Sequence, residues 1–179
     1  GIAGGRLAEV VADFGALGSV EVPRVTTAFC ALGTTIAKAG SEAAFRAVDV
    51  DAVLAFARLA RRAGATRFLL VSALGADPRS RVFYNRVKGE AEEAVKGLGF
   101  EGVALFRPSL LVGERSESRP AERAAIVATS LVSWAMAGPL ARWKPVPVAS
   151  VATAMLAVAG GALSGVRVVE NEEIHALAG

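Results

Sequence analysis

The sequence predicts an α/β fold: a doubly wound parallel sheet with helices on both faces. Three observations carry this. Short apolar runs rich in β-formers, such as VTTAFCAL at 25–32 and RFLLVSA at 67–73, alternate along the chain with longer helical patterns. The runs are continuously apolar, as strands buried on both faces are. No internal repeat or low-complexity linker interrupts the alternation, so residues 1–179 are expected to form one domain.

Each element has its own warrant. The run 25–32 is the first strand, with Gly33-Thr34-Thr35 as the turn that leaves it. Ser41 then Glu42 reads as a helix start, with a hydroxyl cap and an acid in the first turn. Apolar residues at 45, 48, 53, 54, 56, 57, 60 and 63 continue a helical face to Ala63, and Gly64 ends it. The run 67–73 is a buried parallel strand, followed by the loop LGADPRS. A helix is predicted over 82–96, closed by Gly97. VALFRPSLLVG at 103–113 reads as a strand running into a loop. Pro120 suits the first turn of a helix over 120–137. PVPV at 145–148 is extended, 149–160 is helical, and VRVVE at 166–170 is a short strand.

Composition narrows the function. The net charge is +3, and of the 20 basic residues 16 are Arg and 4 are Lys. They are scattered, with Arg61–Arg62 the sole adjacent pair, so nucleic-acid binding is not expected. One Cys and one His leave a metal site without its usual ligands, and none is expected. Cys30, alone, forms no intrachain disulfide, which reads as a cytoplasmic chain. No signal peptide is visible. The longest apolar stretch, 124–140, contains Ser, Thr, Gly and Pro and reads as a buried helix of a soluble protein, with membrane or interface burial as the alternative.

In a parallel sheet of this kind, ligands bind beyond the carboxyl ends of the strands. Gly33-Thr34-Thr35, Ser72 and Arg107-Pro108-Ser109 all fall at such ends. The helix bearing FYNRVKGEAE at 83–92 starts just after another, and carries the chain's sole tyrosine. Tyr84 and Lys88 stand at i and i+4, on one helix face. A phenol ionises only near pH ~10, and a nearby ammonium favours the phenolate. The pair suits general acid–base work on a carbonyl and alcohol couple, with the Ser72 hydroxyl holding the substrate oxygen. The same spacing also occurs on any amphipathic helix, where both residues would face solvent. Glu90, Glu92 and Glu93 read as that solvated face. Arg107 could instead be a solvent-facing arginine at a strand end, and Thr34 and Thr35 could simply cap a turn.

Ser…Tyr-x-x-x-Lys on this pattern resembles the short-chain dehydrogenase/reductase superfamily. The segments AFCALGTTIAKAGSEAAFRAVDVD, FLLVSALGADPRSRVFYNRVKGEAE and LFRPSLLVGERSESRPAE narrow the resemblance to its atypical branch, the family of the HIV Tat-interacting protein and its bacterial relatives. The likeness runs from about residue 10 to VVENEEIHALAG at the end. It implies a Rossmann-like domain binding NADP or NAD, with a small-molecule substrate; NADP is taken first, although the acidic or basic selector follows a strand that is not in this sequence. Leu32, Gly33, Thr34 and Thr35 would border the cofactor. Ser72 and Tyr84 would face the substrate, and Lys88 would also bond the nicotinamide ribose. Arg107, Pro108 and Ser109 would border the nicotinamide. Asp49 matches a position that the family often fills with a polar residue near the active site, and a catalytic role is not expected of it. The loop 114–123 could fold over a substrate, form a subunit contact in a homodimer, or be a charged surface loop. His175 is expected to have no chemical role.

One expected part is absent. The family opens with a strand and a glycine-rich turn that cradles the pyrophosphate. Gly1-Ile2-Ala3-Gly4-Gly5 is glycine-rich but has no strand before it. The sequence therefore reads as a Rossmann-like sheet lacking its N-terminal strand and turn, roughly fifty residues by family pattern. Three explanations compete: a segment beyond this sequence, a strand from another chain, or a rearranged sheet. The first is favoured, because the remaining signature is intact. The functional expectation is an NAD(P)-dependent oxidoreductase with Tyr84 as general acid–base, and the alternative is a non-enzymatic dinucleotide-binding regulator or adaptor.

Overall fold

The computed structural model describes residues 9–113 and 142–179. Gly1–Gly5, the loop 114–123 and the helix predicted over 120–137 lie outside the described residues.

A short 3-10 helix, Phe14–Ser19, comes first, capped by Asp13, whose Oδ1 accepts from the Gly15 N–H at 2.8 Å. Strand β1 is Thr27–Cys30. The turn after it forms one helical turn that the sequence reading did not include, α1 Ile36–Ala39, capped by the Thr35 hydroxyl. Ser41 caps α2, Glu42–Arg46, by accepting from the Ala44 N–H at 3.1 Å. The backbone then widens into a π-turn, Ala47–Ala52, and tightens again as α3, Val53–Arg62. Gly64 follows at φ +94°, a left-handed angle that a side chain resists. Next come β2 Arg67–Val71, α4 Phe83–Lys96 and β3 Gly102–Arg107. Two short strands, β4 Leu111–Val112 and β5 Val146–Pro147, pair with each other. Helix α5 Val148–Gly160, strand β6 Gly165–Glu170 and helix α6 Asn171–Ala178 complete the described chain. The sequence reading had not foreseen α6.

Among the described residues the main sheet has four parallel strands in the order β1-β2-β3-β6. Its side chains alternate between two cores, as a strand's period of two requires. Ala28, Cys30, Phe68, Leu70, Val103 and Leu105 pack with Val53, Ala57 and Ala60 of α3 and Val95 of α4. Leu69, Ala104, Phe106 and Val169 point the other way, against Val151, Ala154, Met155 and Val158 of α5 and Ile174 of α6. Full burial of Phe68 or Leu69 contributes about 2 kcal/mol each. The continuous apolar runs thus reflect helices on both faces. Among the described residues β1 lies at the edge of the sheet, and its Phe29 is 42% exposed.

Candidate active site

A cleft of about 460 Å³ opens at the carboxyl ends of β1, β2 and β3. Its first wall is the turn after β1, with Leu32, Gly33, Thr34 and Thr35. Ser72, Tyr84 and Lys88 form its floor and back, and Pro108, Ser109, Leu110 and Leu111 close the far side. All the site residues expected from the sequence meet here except Arg107.

Each is held by its element. Ser72 extends the β2–β3 ladder, its N–H donating to the Phe106 carbonyl at 2.7 Å. Its hydroxyl is buried and has no hydrogen-bond partner among the described residues. An orphaned buried hydroxyl in a cleft wall is free to bond a ligand's oxygen or a water. Tyr84 lies in the first turn of α4 with its ring against Phe45, centroids 5.6 Å apart. Lys88 follows one turn later, its Nζ 6.0 Å from the Tyr84 ring centroid.

Lys88 is buried and does not stand free. Its Nζ lies 2.6 Å from Asp49 Oδ1, an ion-pair contact of poor hydrogen-bond alignment. Asp49, 1% exposed, also accepts from the Thr34 N–H through Oδ2 at 2.9 Å. One carboxylate therefore joins the turn after β1 to the lysine of α4. Gly33 fits over this pair: a Cβ there would sit 3.2 Å from Asp49 Oδ1 and 3.3 Å from Lys88 Nζ. Asp49 lies in the π-turn, a feature frequent at functional sites. The sequence reading left it outside the catalytic set. Its signal was present: an acid between Val48 and Val50, four residues after Phe45 on the apolar side of the helix.

Arg107 turns away from the cleft. Its guanidinium grips Glu92 of α4 in a fork, Nε to Oε1 at 3.0 Å and Nη2 to Oε2 at 2.6 Å, and reaches Glu170 at 3.2 Å. The bonds to Glu92 raise its pKa further above the ordinary arginine range. It is neither solvent-facing nor a cleft residue but a strut between β3 and α4. Glu92, expected on the solvated face, is 1% exposed for the same reason. Thr34 and Thr35 do more than cap a turn. Thr35 caps α1, and both border the cleft.

The nicotinamide half of a dinucleotide fits this arrangement. Gly33 leaves the wall open, Ser72 Oγ lacks a partner, and Lys88 keeps N–H groups beyond its contact with Asp49. A glycine-rich turn for the pyrophosphate is not found among the described residues. They also contain no cluster of three His, Cys, Asp or Glu side chains able to hold a metal, and no helix long and apolar enough to cross a membrane.

No protein-family model matches the chain. It is similar to the protein fmp52, mitochondrial, of Emericella nidulans: 50% identical over 95 residues, 53% of this chain and 41% of that protein. FMP52, mitochondrial, of Coccidioides immitis is 36% identical over 151 residues, 84% of this chain and 61% of that one. Protein HTATIP2 of Rattus norvegicus is 48% identical over 94 residues, 52% and 38%. The matches thus span between 38% and 61% of these relatives' length. Among solved structures, RMD from Pseudomonas aeruginosa complexed with NADPH superposes with a TM-score of 0.62 at 16% identity, over 88% of this chain and 65% of that one. MoeE5 in complex with UDP-glucuronic acid and NAD gives 0.59 at 18%, over 87% and 60%. These two carry the fold alone.

The relatives correct one expectation. The lone cysteine suggested a cytoplasmic chain, yet the Fmp52 relatives are named mitochondrial. A chain with one cysteine can form no intrachain disulfide in any compartment, so the cysteine count does not decide location. Relatives in fungi and rat, with the parallel sheet and its carboxyl-end cleft, identify the fold as the Rossmann type. The chain belongs to the atypical short-chain dehydrogenase/reductase family, with HTATIP2 and Fmp52 among its homologues.

Proposed function

We propose that the protein is an NAD(P)-dependent oxidoreductase, with residues 1–179 acting as one nucleotide-binding domain on a small carbonyl or alcohol. The observation that carries this reading is the convergence, in one cleft, of an unpartnered Ser72 hydroxyl, the Tyr84 phenol and the Asp49-paired Lys88. Tyr84 donates a proton to the carbonyl oxygen in reduction and takes it back in oxidation. Ser72 holds that oxygen with its free O–H. Lys88 stabilises negative charge on the phenol oxygen and binds ribose hydroxyls with its remaining N–H groups. Leu32, Gly33, Thr34 and Thr35 border the cofactor on one side, and Pro108 and Ser109 on the other. The bound nicotinamide supplies or accepts the hydride. NADPH is the preferred partner in this reading, and the NADPH complex of RMD supports testing it first.

Titration of NADPH and NADH fluorescence with the full-length protein tests binding. Tyr84→Phe is expected to keep that binding and lose turnover by about 100-fold or more. Equal turnover in the variant removes Tyr84 as the acid–base. Binding by the wild type with no turnover of any carbonyl favours a regulatory dinucleotide-binding protein instead.

A further inference from the structure

Asn171 is fully buried and opens α6 directly after β6. It does not line the cleft, yet it is bonded to what does. Its Oδ1 accepts from the Ser109 N–H at 2.8 Å, and its Nδ2 donates to the Lys144 carbonyl at 2.8 Å. A donor on one side and an acceptor on the other allow only one orientation of the amide. The Ser109 hydroxyl donates to the same Lys144 carbonyl at 2.6 Å. The Val146 N–H donates to the Leu110 carbonyl at 2.9 Å. These four bonds clamp the far wall of the cleft to the chain around β5.

The clamp decides what the wall offers. The Ser109 N–H and hydroxyl are both bonded to the protein. The Leu110 and Leu111 side chains remain, 62% and 37% exposed. Hydrocarbon is thus what this wall presents to a ligand. We propose that Asn171 is the positioning residue that sets this substrate wall, and that the wall takes the apolar part of the carbonyl or alcohol substrate. The proposal rests on the oxidoreductase reading above and adds the class of substrate and the residue that shapes its seat.

The test uses the full-length protein, NADPH, and straight-chain aldehydes from propanal to octanal. NADPH affinity and the number of binding sites are read by fluorescence, and kcat and KM by NADPH oxidation. In the wild type, KM is expected to fall as the aldehyde lengthens. In Asn171→Ala, KM for octanal rises by about tenfold and the chain-length dependence flattens. Because Ser109 also borders the cofactor, NADPH affinity is read alongside and is expected to change by less than KM for octanal, with kcat per binding site for propanal changing least. Asn171→Asp keeps the acceptor for Ser109 but sets an oxygen against the Lys144 carbonyl, and is expected to fall between. Ser109→Ala removes a single bond and shifts KM in the same direction by less, which keeps the test open if Asn171→Ala does not fold. A merely structural role lowers the number of binding sites and leaves the chain-length dependence of the remaining active protein intact, which overturns the proposal. So does a wild type that binds NADPH but reduces octanal no better than propanal, or neither. A wild type that binds neither NADPH nor NADH removes the oxidoreductase reading itself, and the proposal with it.

Discussion

At the scale of single residues, the Asp49–Lys88 pair sets the terms. Two charges almost out of water are tolerable only together, because one left alone carries its whole desolvation cost. Asp49→Ala is expected to lower stability by about 3–5 kcal/mol, read from urea unfolding. The double variant Asp49→Ala/Lys88→Met, with both charges gone, is expected to recover most of that loss, with Lys88→Met as the second single change. Additive effects of the two changes would mean that the residues are not coupled. Cys30 gives a second residue-scale prediction. Burial holds its thiol above the ordinary value of 9.0, outweighing the hydrogen bond from the backbone at Leu32. Above pH 9.0 the unfolded thiol releases its proton while the folded one keeps it. Stability is therefore lost as pH rises past that value. Cys30→Ala is expected to flatten this decline between neutral pH and pH ~10. An equally steep decline in the variant assigns it to another group.

At the scale of elements, α4 decides the geometry of the site. Three packings hold it. Phe45 meets Phe83 and Tyr84, Arg107 grips Glu92, and the loop after β2 lies against Gly89. A Cβ at Gly89 would come within 2.3 Å of the backbone at Asp77 and Pro78. Gly89→Ala is thus expected to destabilise by about 1–3 kcal/mol by overpacking, although alanine is the better helix former. A stability gain in denaturant unfolding would contradict this close approach. The helix itself was legible in the sequence almost to the residue, because its apolar spacing and the glycine after it are local signals. The π-turn over Ala47–Ala52 was not legible. Its widened backbone lets Asp49 turn inward to partners that lie 15 and 39 residues away in sequence, Thr34 and Lys88. Helix α6 was missed for a related reason. It spans only Asn171–Ala178 and is held by Ile174 in the core and Asn171 beneath the cleft wall.

At the scale of the whole molecule, β2 and β3 are the centre of the sheet among the described residues. Each has a strand on both sides and helices over both faces, whereas β1 and β6 flank them. Native-state hydrogen exchange is expected to be slowest at the amides of Phe68–Leu70 and Val103–Phe106, and faster in β1 and β6. Uniform exchange across the four strands would contradict that hierarchy. The sequence by itself determined the fold class, the apolar runs 25–32, 67–73 and 103–113 in which the strands Thr27–Cys30, Arg67–Val71 and Gly102–Arg107 formed, and the position of Ser72, Tyr84 and Lys88 near strand ends. These follow from signals a few residues long: apolar runs, caps, and the period of a helix. Only the tertiary structure decided which polar groups became partners. It drew Arg107 onto Glu92 and out of the cleft, set Asp49 behind Lys88, and brought Asn171 under Ser109. A buried charge or amide must find its complement wherever the chain folds, and the residue that supplies it can lie anywhere along the sequence.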